Sequence, residues 1–256
     1  MIKTLLAQVK RLTIATGVYR PARWLARRLR PSTQRAHLED VVFLRALLPS
    51  GSLCFDVGAN IGEKSEAMLD AGCRVVAFEP NPRVLPELHA RCAHRAGWTS
   101  VAAALGSGPA IATLHARVFH SQSSLSAEWD GAVAATYDVP VITLNAAIAR
   151  YGMPAFCKID VEGWELEVLK GLTQSMPLLS FEFHLDERGI AKTSACLARL
   201  AALGPAFVNL TPAESAHFHF TEWMPIDRFL TWFPGDLAQS LPGKRYGDIF
   251  VRHVAP

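Results

Sequence analysis

The chain has 256 residues and half of them are hydrophobic, so it is long enough to bury a substantial core in one large domain. Its five cysteines are odd in number and form no Cys-x-x-Cys pair, which argues against a disulfide framework and against zinc. Nine Lys or Arg residues and no acidic residue precede Glu39. The remainder of the chain therefore has 17 of the 26 basic residues and all 23 acidic residues, so it is acidic. An acidic domain of this kind argues against a nucleic-acid partner.

Residues 1–36 are predicted to form a basic helical arm ahead of a domain at residues 37–256. Apolar residues recur at helical spacing from Ile2 to Leu12, and Pro21 and Pro31 bound a second short helix. Two interpretations stay open: the arm packs on the domain or on a sister subunit, or it contacts an anionic membrane face. Because Lys10 and Arg11 interrupt any signal-peptide core, we predict a cytoplasmic protein, with the inner membrane face as the second option.

Beyond the arm, predicted helices and strands alternate along the chain. The predicted helices lie at residues 37–48, 61–71, 82–96, 145–151, 164–174 and 193–203. The predicted strands lie at residues 53–57, 74–78, 99–105, 110–118, 137–143, 156–161, 178–184, 207–210 and 248–253. This alternation predicts an α/β fold with a mainly parallel sheet covered by helices on both faces.

A glycine-rich turn follows the first predicted strand. It reads Asp56-Val-Gly58-Ala-Asn60-Ile-Gly62, a pattern in which bare backbone can approach a ligand and Asn60 tolerates left-handed geometry. Glu79 ends the next strand, where a carboxylate can accept hydrogen bonds from both hydroxyls of a ribose. The turn therefore predicts a nucleotide-type ligand.

The ligand is either a dinucleotide or an adenosyl cofactor such as S-adenosylmethionine. A dinucleotide needs glycines where this chain has Asn60 and Glu63, and Glu63 would place a negative charge against the pyrophosphate. S-adenosylmethionine has no phosphate and a positive sulfonium, so Asp56 and Glu63 favour it. A tight turn without any ligand is the third interpretation.

A second polar constellation reads Lys158-Ile-Asp160-Val-Glu162-Gly, and a later strand ends Ser-Phe-Glu-Phe-His at His184. We interpret Lys158 and Glu182 as an ion pair between neighbouring strands. Asp160 and His184 fall at the carboxyl ends of their strands, where open α/β sheets bind ligands. Helix capping is the alternative for Asp160, and an ordinary strand-end histidine is the alternative for His184.

Several motifs occur in order: "FDVGANIG", "VVAFEPNP", Ala104-Leu105-Gly106, "KIDVEGWELEVLKG" and "SFEFH". Together, across residues 38–253, they resemble the FkbM-family methyltransferases, which are class I enzymes using S-adenosylmethionine. The resemblance implies a seven-stranded sheet with an antiparallel last strand, and O-methylation of a sugar or natural-product hydroxyl. It implies site roles for Asp160 and Glu162. It implies cofactor contacts for Asp56, Gly58, Asn60, Gly62, Glu79 and Ala104.

Asn145 departs from the resemblance, because the family tends to have aspartate after Thr-Leu; we expect Asn145 to cap a helix.

An alcohol becomes a good nucleophile only as its proton leaves, so the reaction needs a base. Asp160 is the first candidate base and His184 the second, while Glu162 either orients a group in the site or stabilises a helix N-terminus.

The acceptor-binding side of the site has two sequence candidates. Residues 211–246 are rich in aromatic rings, which either stack on a sugar or lipid or belong to the core. The polar segment Ser121–Ser124 either closes over the ligands or is a solvated turn.

His217-x-His219 lacks a third ligand, so we predict no metal. A nucleotide-dependent oxidoreductase and a non-catalytic adenosyl-binding protein remain as alternatives, and the sequence leaves the oligomeric state open.

Overall fold

The computed structural model describes residues 31–126, 131–213, 215–240 and 245–254. Its helices are α1 (Pro31–Leu47), α2 (Glu63–Asp70), α3 (Leu85–Cys92), α4 (Leu144–Tyr151), α5 (Glu165–Lys170), α6 (Glu187–Ala201) and α7 (Ile226–Ser240). Its strands are β1 (Leu53–Val57), β2 (Arg74–Phe78), β3 (Trp98–Val101), β4 (Ala104–Leu105), β5 (Ala110–Arg117), β6 (Val133–Ile142), β7 (Phe156–Ile159), β8 (Leu178–His184), β9 (Ala206–Pro212), β10 (Met224–Pro225) and β11 (Tyr246–His253). No helix within the described ranges is long and apolar enough to cross a bilayer.

The main sheet has eight strands in the order β10-β9-β11-β8-β7-β1-β2-β3. Strands β8, β7, β1, β2 and β3 run parallel to one another, and β11 runs antiparallel between β8 and β9. The predicted α/β fold with a mainly parallel sheet and an antiparallel last strand is confirmed. The count exceeds the predicted seven because β10, only two residues long, pairs with the edge strand β9.

The strand order reverses beside β1, and this reversal positions the site. From β1 the chain builds outward through β2 to β3, whereas β7 returns to the other side of β1 and continues to β8. The loops after β1 and β7 therefore leave the sheet in opposite directions and open a crevice at its carboxyl edge. Open α/β sheets bind their ligands at such a reversal.

The sheet is held by apolar side chains on both faces. One face packs under α5 and α6, with Phe55, Ile159 and Phe181 fully buried. The other face packs under α1 and α2, where Val41 and Met68 belong to a second buried cluster. Each such side chain contributes about 1.5–3 kcal/mol on burial, which is why continuous apolar runs form the central strands.

Several elements differ from the prediction, and helix α6, for example, begins at Glu187 and not at residue 193. The strand expected at 99–105 is broken: β3 ends at Val101, and β4 pairs with β6 in a separate three-stranded sheet of order β4-β6-β5. Helix α7 was not predicted, because its Pro-Gly pair at 234–235 obscures the helical pattern. Helix α1 begins six residues before its predicted start, and the rest of the basic arm, residues 1–30, lies outside the described residues.

Candidate active site

A cavity of about 650 Å³ opens at the carboxyl edge of the sheet, over β1 and β7. Three segments line it: the glycine-rich turn after β1, the turn after β7, and residues 118–126, which we call the strap. The volume lies within the range of small-molecule binding sites, about 300–1,000 Å³. The cavity is therefore large enough for a nucleoside-sized ligand together with part of a second molecule.

The glycine-rich turn has the predicted left-handed backbone. The φ angles are 83° at Gly58, 51° at Asn60 and 84° at Gly62. A Cβ on Gly58 would lie 1.8 Å from the carbonyl oxygen of Asp160, and one on Gly62 would lie 2.7 Å from Leu88 Cδ1. Packing within the protein thus already requires both glycines, so their presence alone does not demand a close ligand.

Glu79 lies buried beside this turn, where it was predicted to meet a ribose. Its Oε2 accepts a hydrogen bond from the backbone N–H of Asn60, and its Oε1 accepts one from that of Asn81, both at 2.7 Å. Burial raises the pKa of Glu79 to about 7, against the lowering effect of these two N–H groups. The carboxylate is therefore rigidly oriented and changes charge near neutral pH.

Two further predicted cofactor residues also line the cavity. Asp56 is buried, and Ser65 Oγ donates to its Oδ2 at 2.6 Å; burial raises the pKa of this carboxyl above its ordinary value. Ala104 lies with Ala103 and Leu105 along an apolar part of the wall. One side of the cavity is thus apolar and the side below the turn is acidic.

Lys158 is almost fully buried beneath the end of β7, and its partner differs from the prediction. Its Nζ lies 2.6 Å from Oδ2 of Asp160, two residues along the same strand face, so the predicted pair with Glu182 is wrong. Burial by itself lowers the pKa of Lys158. The carboxylates of Asp160, Asp248 and Asp56 outweigh this effect and hold that pKa above its ordinary value. Lys158 therefore stays charged and fixes one oxygen of Asp160.

Three carboxylates converge at the floor of the cavity. Oxygens of Asp160, Glu162 and Glu182 lie within 4.8 Å of one another, the only such group of potential metal ligands in the part of the chain that the structure describes. Glu162 has a left-handed backbone (φ 53°) and lines the cavity. Glu165, the first residue of α5, orders the turn that carries Glu162, because its Oε1 accepts the N–H groups of Val161 and Gly163.

His184 does not belong to the described residues that line the cavity. Its Nε2 lies 3.1 Å from Oε2 of Glu182, and its ring stacks on Tyr246. The hydrogen bond to Glu182 raises the pKa of His184 despite its partial burial. The structure thus places Glu182 at the cavity, with His184 behind it. The sequence predicted Glu182 as the partner of Lys158 and not as a residue of the cavity. Glu182 lies two residues before His184 on β8, so the two side chains lie on the same face of the strand.

The strap lies over the glycine-rich turn. His120 Nδ1 is 2.7 Å from Asn60 Oδ1, and the Asn81 side-chain amide donates to Ser123 Oγ at 3.3 Å. Ser124 Oγ donates to the carbonyl oxygen of Val161 on the opposite side. The predicted polar segment Ser121–Ser124 therefore closes over the cavity rather than forming a remote solvated turn.

The aromatic residues of the 211–246 segment belong mostly to the core. Phe229 and Phe233 are fully buried, and Phe218 packs edge-on against Phe43 and Phe250. Of the described rings in this segment, none lines the large cavity. The core interpretation of this segment therefore holds.

Asn145, the departure from the family pattern, also lies away from the cavity. Its side chain bridges α4 to the turn after α5, donating to Thr173 Oγ1 at 2.7 Å and accepting from the Thr173 N–H. The predicted capping role is wrong, because Thr143 caps α4 by accepting the N–H of Ala146. Asn145 therefore connects α4 to the turn after α5 and is not among the described residues that line the cavity.

The model of one family, the methyltransferase FkbM domain, matches residues 56–225. The chain belongs to the FkbM methyltransferase family. The resemblance expected from the ordered motifs is thereby confirmed, and the FkbM domain spans the glycine-rich turn, the strap and the three convergent carboxylates.

Among curated relatives, the chain is similar to the hexuronic acid methyltransferase AglP of Haloferax volcanii, with 29% identity over 147 residues. That alignment covers 54% of this chain, and the chain spans about three fifths (59%) of the length of the relative.

Among solved structures, the chain is similar to a precorrin-6y C5,15-methyltransferase from Geobacter metallireducens, with a TM-score of 0.45, 12% identity, and 84% of this chain and 87% of that chain covered. It is likewise similar to fibrillarin from Aeropyrum pernix, which was solved with S-adenosyl-L-methionine. The TM-score is 0.45 and the identity 12%, and the match covers 84% of this chain and 75% of that chain. Similarities of this size decide nothing about the cavity.

Proposed function

We propose that the protein is an S-adenosylmethionine-dependent O-methyltransferase that acts on a hydroxyl group of a sugar or a sugar-like acceptor. The observation that carries the proposal is the cavity at the strand-order reversal, where a nucleoside-type turn faces an Asp160 carboxylate held by a buried lysine. Membership of the FkbM methyltransferase family supports the reaction class.

The residues of the turn fit the proposed cofactor. Glu79 is positioned to accept hydrogen bonds from ribose hydroxyls, because each carboxylate oxygen keeps a second lone pair beyond its bond to a backbone N–H. Asp56 and Glu63 suit a positively charged ligand and oppose a pyrophosphate, which disfavours the nucleotide-dependent oxidoreductase. Ala104 and Leu105 offer an apolar surface for an adenine ring.

In the proposed mechanism, Asp160 accepts the proton of the acceptor. S-adenosylmethionine, held by the glycine-rich turn and Glu79, would supply the methyl group from its positive sulfur to the acceptor oxygen and would leave as S-adenosylhomocysteine. Because Lys158 engages Oδ2 of Asp160, the other oxygen, Oδ1, is the one that receives the proton. A positioned base of this kind contributes about 10²–10⁴-fold to the rate. Glu182 replaces His184 as the second candidate base, since Glu182 lines the cavity.

A sugar acceptor is supported by the relative of Haloferax volcanii, whose name describes methylation of a hexuronic acid. For this chain the proposal extends only to the sugar class. Methyl transfer to a panel of glycosides would separate the enzyme from a non-catalytic adenosyl-binding protein. Calorimetry with S-adenosylmethionine and with NADH would separate it from an oxidoreductase.

The decisive variant is Asp160→Asn, with cofactor binding and turnover measured separately. We expect binding of S-adenosylmethionine within about threefold of wild type and turnover lower by about a hundredfold or more. Asp138→Asn is the matched control, because Asp138 is an exposed aspartate on β6 outside the cavity lining. Full turnover in Asp160→Asn would remove Asp160 from the base role, and lost binding would make it a cofactor ligand.

We also propose that the basic arm contacts an anionic membrane face, which would bring the domain to lipid-linked acceptors. The support is the nine cationic residues without an acid before Glu39. Sedimentation with phosphatidylserine-containing and pure phosphatidylcholine vesicles tests this, with the full chain compared with a chain lacking residues 1–30, which carry eight of the nine cationic residues. Binding should require the anionic lipid and the arm, and should weaken with salt; equal binding by both chains would contradict it.

A further inference from the structure

The charges of the cavity restrict the acceptor beyond the broad class of sugars. Six acidic residues line it among the described part of the chain: Asp56, Glu63, Glu79, Asp160, Glu162 and Glu182. Two lysines line it and no described arginine does. Both lysines are already paired, Lys64 with Asp40 at 2.7 Å and Lys158 with Asp160 at 2.6 Å. An anionic acceptor would therefore meet carboxylates without an unpaired lysine or arginine to bind it.

The strap supplies the other half of the argument, an exposed aromatic ring at the cavity. Phe119 lines the cavity and is 68% exposed, and its neighbour Val118 is 60% exposed. An exposed phenylalanine at a ligand site presents a flat apolar face that no other part of the described fold covers. Its placement is fixed, because the next residue, His120, contacts Asn60 on the glycine-rich turn.

A binding site for a neutral sugar combines an apolar aromatic face with oxygen atoms that accept hydrogen bonds. The C–H face of a pyranose is apolar and packs on aromatic rings, while its hydroxyl groups donate to carboxylates, which act only as acceptors when ionised. A uronic acid offers the same ring face but adds a charge that the three convergent carboxylates repel. The two features thus point to one chemical class.

We propose that the acceptor is an uncharged sugar ring that packs on Phe119 and donates hydroxyl hydrogen bonds to the carboxylates at the cavity floor, and that uronic acids are excluded. This inference rests on the proposed methyltransferase function and differs from the acceptor named for the relative of Haloferax volcanii. It assigns Phe119 and Glu182 as residues that determine acceptor specificity.

The test uses binding as well as turnover. Calorimetry and saturation-transfer NMR on the protein saturated with S-adenosylhomocysteine would compare the methyl glycosides of glucose, galactose, mannose and rhamnose with the matched glucuronide and galacturonide. We expect at least one neutral glycoside to bind and its uronide, where one exists, to bind at least tenfold more weakly. Equal or tighter uronide binding, with or without added Mg²⁺, overturns the charge argument, and binding of none of the glycosides overturns the sugar acceptor.

Variants of the strap test the aromatic face. Phe119→Ala and Phe119→Leu should weaken binding of the neutral glycoside by about tenfold while leaving binding of S-adenosylmethionine unchanged. Ile111→Ala is the matched control, since Ile111 is an equally exposed apolar residue (69%) on β5, the strand that leads into the strap, and lies outside the cavity lining. Unchanged glycoside binding in both Phe119 variants overturns the assignment.

Failure of this inference is distinguishable from failure of the proposed function. A protein that binds no S-adenosylmethionine, or transfers no methyl group to any acceptor, refutes the methyltransferase itself. A protein that methylates a uronide in preference to its neutral counterpart remains a methyltransferase and refutes only the neutral-acceptor inference. Glu182→Gln adds a further check, because removal of one negative charge should raise uronide binding relative to neutral glycoside binding.

Discussion

Lys158 Nζ and Asp160 Oδ2 lie 2.6 Å apart beneath the cavity, and the lysine side chain is only 9% exposed. We expect Lys158→Met to lower the free energy of unfolding by about 3–5 kcal/mol, because it leaves the buried Asp56 and the partly buried Asp160 without their cation. Chemical denaturation followed by circular dichroism measures this loss. Turnover should fall as well, since the orientation of Asp160 depends on the lysine.

Lys170→Met is the matched control for that variant. Lys170 Nζ lies at the same 2.6 Å from Glu167 Oε1, but its side chain is 48% exposed. Exposed pairs are worth about 0–1 kcal/mol, so the control should unfold close to wild type. Equal losses in the two variants would show that burial does not distinguish the two pairs.

A second prediction concerns the packing of the glycine-rich turn. We expect Gly58→Ala to lower the free energy of unfolding by at least about 3 kcal/mol, because the new Cβ would overlap the Asp160 carbonyl oxygen and the φ of 83° disfavours alanine. Gly108→Ala is the control, since a Cβ there meets nothing within 4 Å. Gly108→Ala should change stability by no more than about 1 kcal/mol. A Gly58→Ala protein as stable as wild type would mean that the turn shifts freely.

The elements that sequence predicts well are those whose signal is local. Strands β1, β2 and β8 have the predicted bounds, because each is a continuous apolar run ended by turn residues. The antiparallel last strand and the cofactor turn followed from motif order. The broken strand at 99–105 was missed, because the division of its residues between two sheets depends on pairing with β6, far along the chain.

The acceptor side of the cavity could not be predicted for a similar reason. The partner of Lys158 and the partner of His184 depend on which side chains face each other after the strands pair. Phe119 has no sequence signal of its own, because a single phenylalanine near a hairpin has no distinctive spacing. The contacts that hold the strap over the turn, such as that between His120 and Asn60, join residues far apart in the sequence.

A third prediction concerns the departure from the family pattern at Asn145. We expect Asn145→Asp to leave turnover within about twofold of wild type, because a carboxylate can accept from both the N–H and the rotatable hydroxyl of Thr173. Asn145→Ala should lose both bonds and about 1–2 kcal/mol of stability with turnover again unchanged below the melting temperature. Steady-state methyl transfer and thermal melts measure these effects. A tenfold gain in turnover for Asn145→Asp would give this position a catalytic role.

The final prediction concerns the pH dependence that Glu79 confers. Burial raises the pKa of Glu79 from an ordinary 4.5 to about 7, so the folded protein holds the proton more tightly than the unfolded chain. The contribution of Glu79 to stability therefore declines as pH rises from about 4.5 to about 7, and it is constant outside that window. The glutamine of Glu79→Gln cannot ionise. Between pH 5 and pH 8, the unfolding free energy of wild type should therefore fall relative to that of the variant, by at most about 3 kcal/mol.

Binding of the cofactor should show the opposite dependence, because only ionised Glu79 accepts hydrogen bonds from both ribose hydroxyls. The affinity of wild type for S-adenosylmethionine should rise with pH up to about 7, by at most about tenfold per unit, whereas that of Glu79→Gln should be weaker and flat. Urea denaturation and calorimetry at pH 5, 6, 7 and 8 measure both effects, with the exposed Glu222→Gln as control. Asp248, whose pKa burial raises to about 6, adds a slope common to all three proteins, so only their differences report on Glu79. Parallel pH profiles for wild type and Glu79→Gln, in stability and in binding, would show that Glu79 neither titrates near neutral pH nor contacts the ribose.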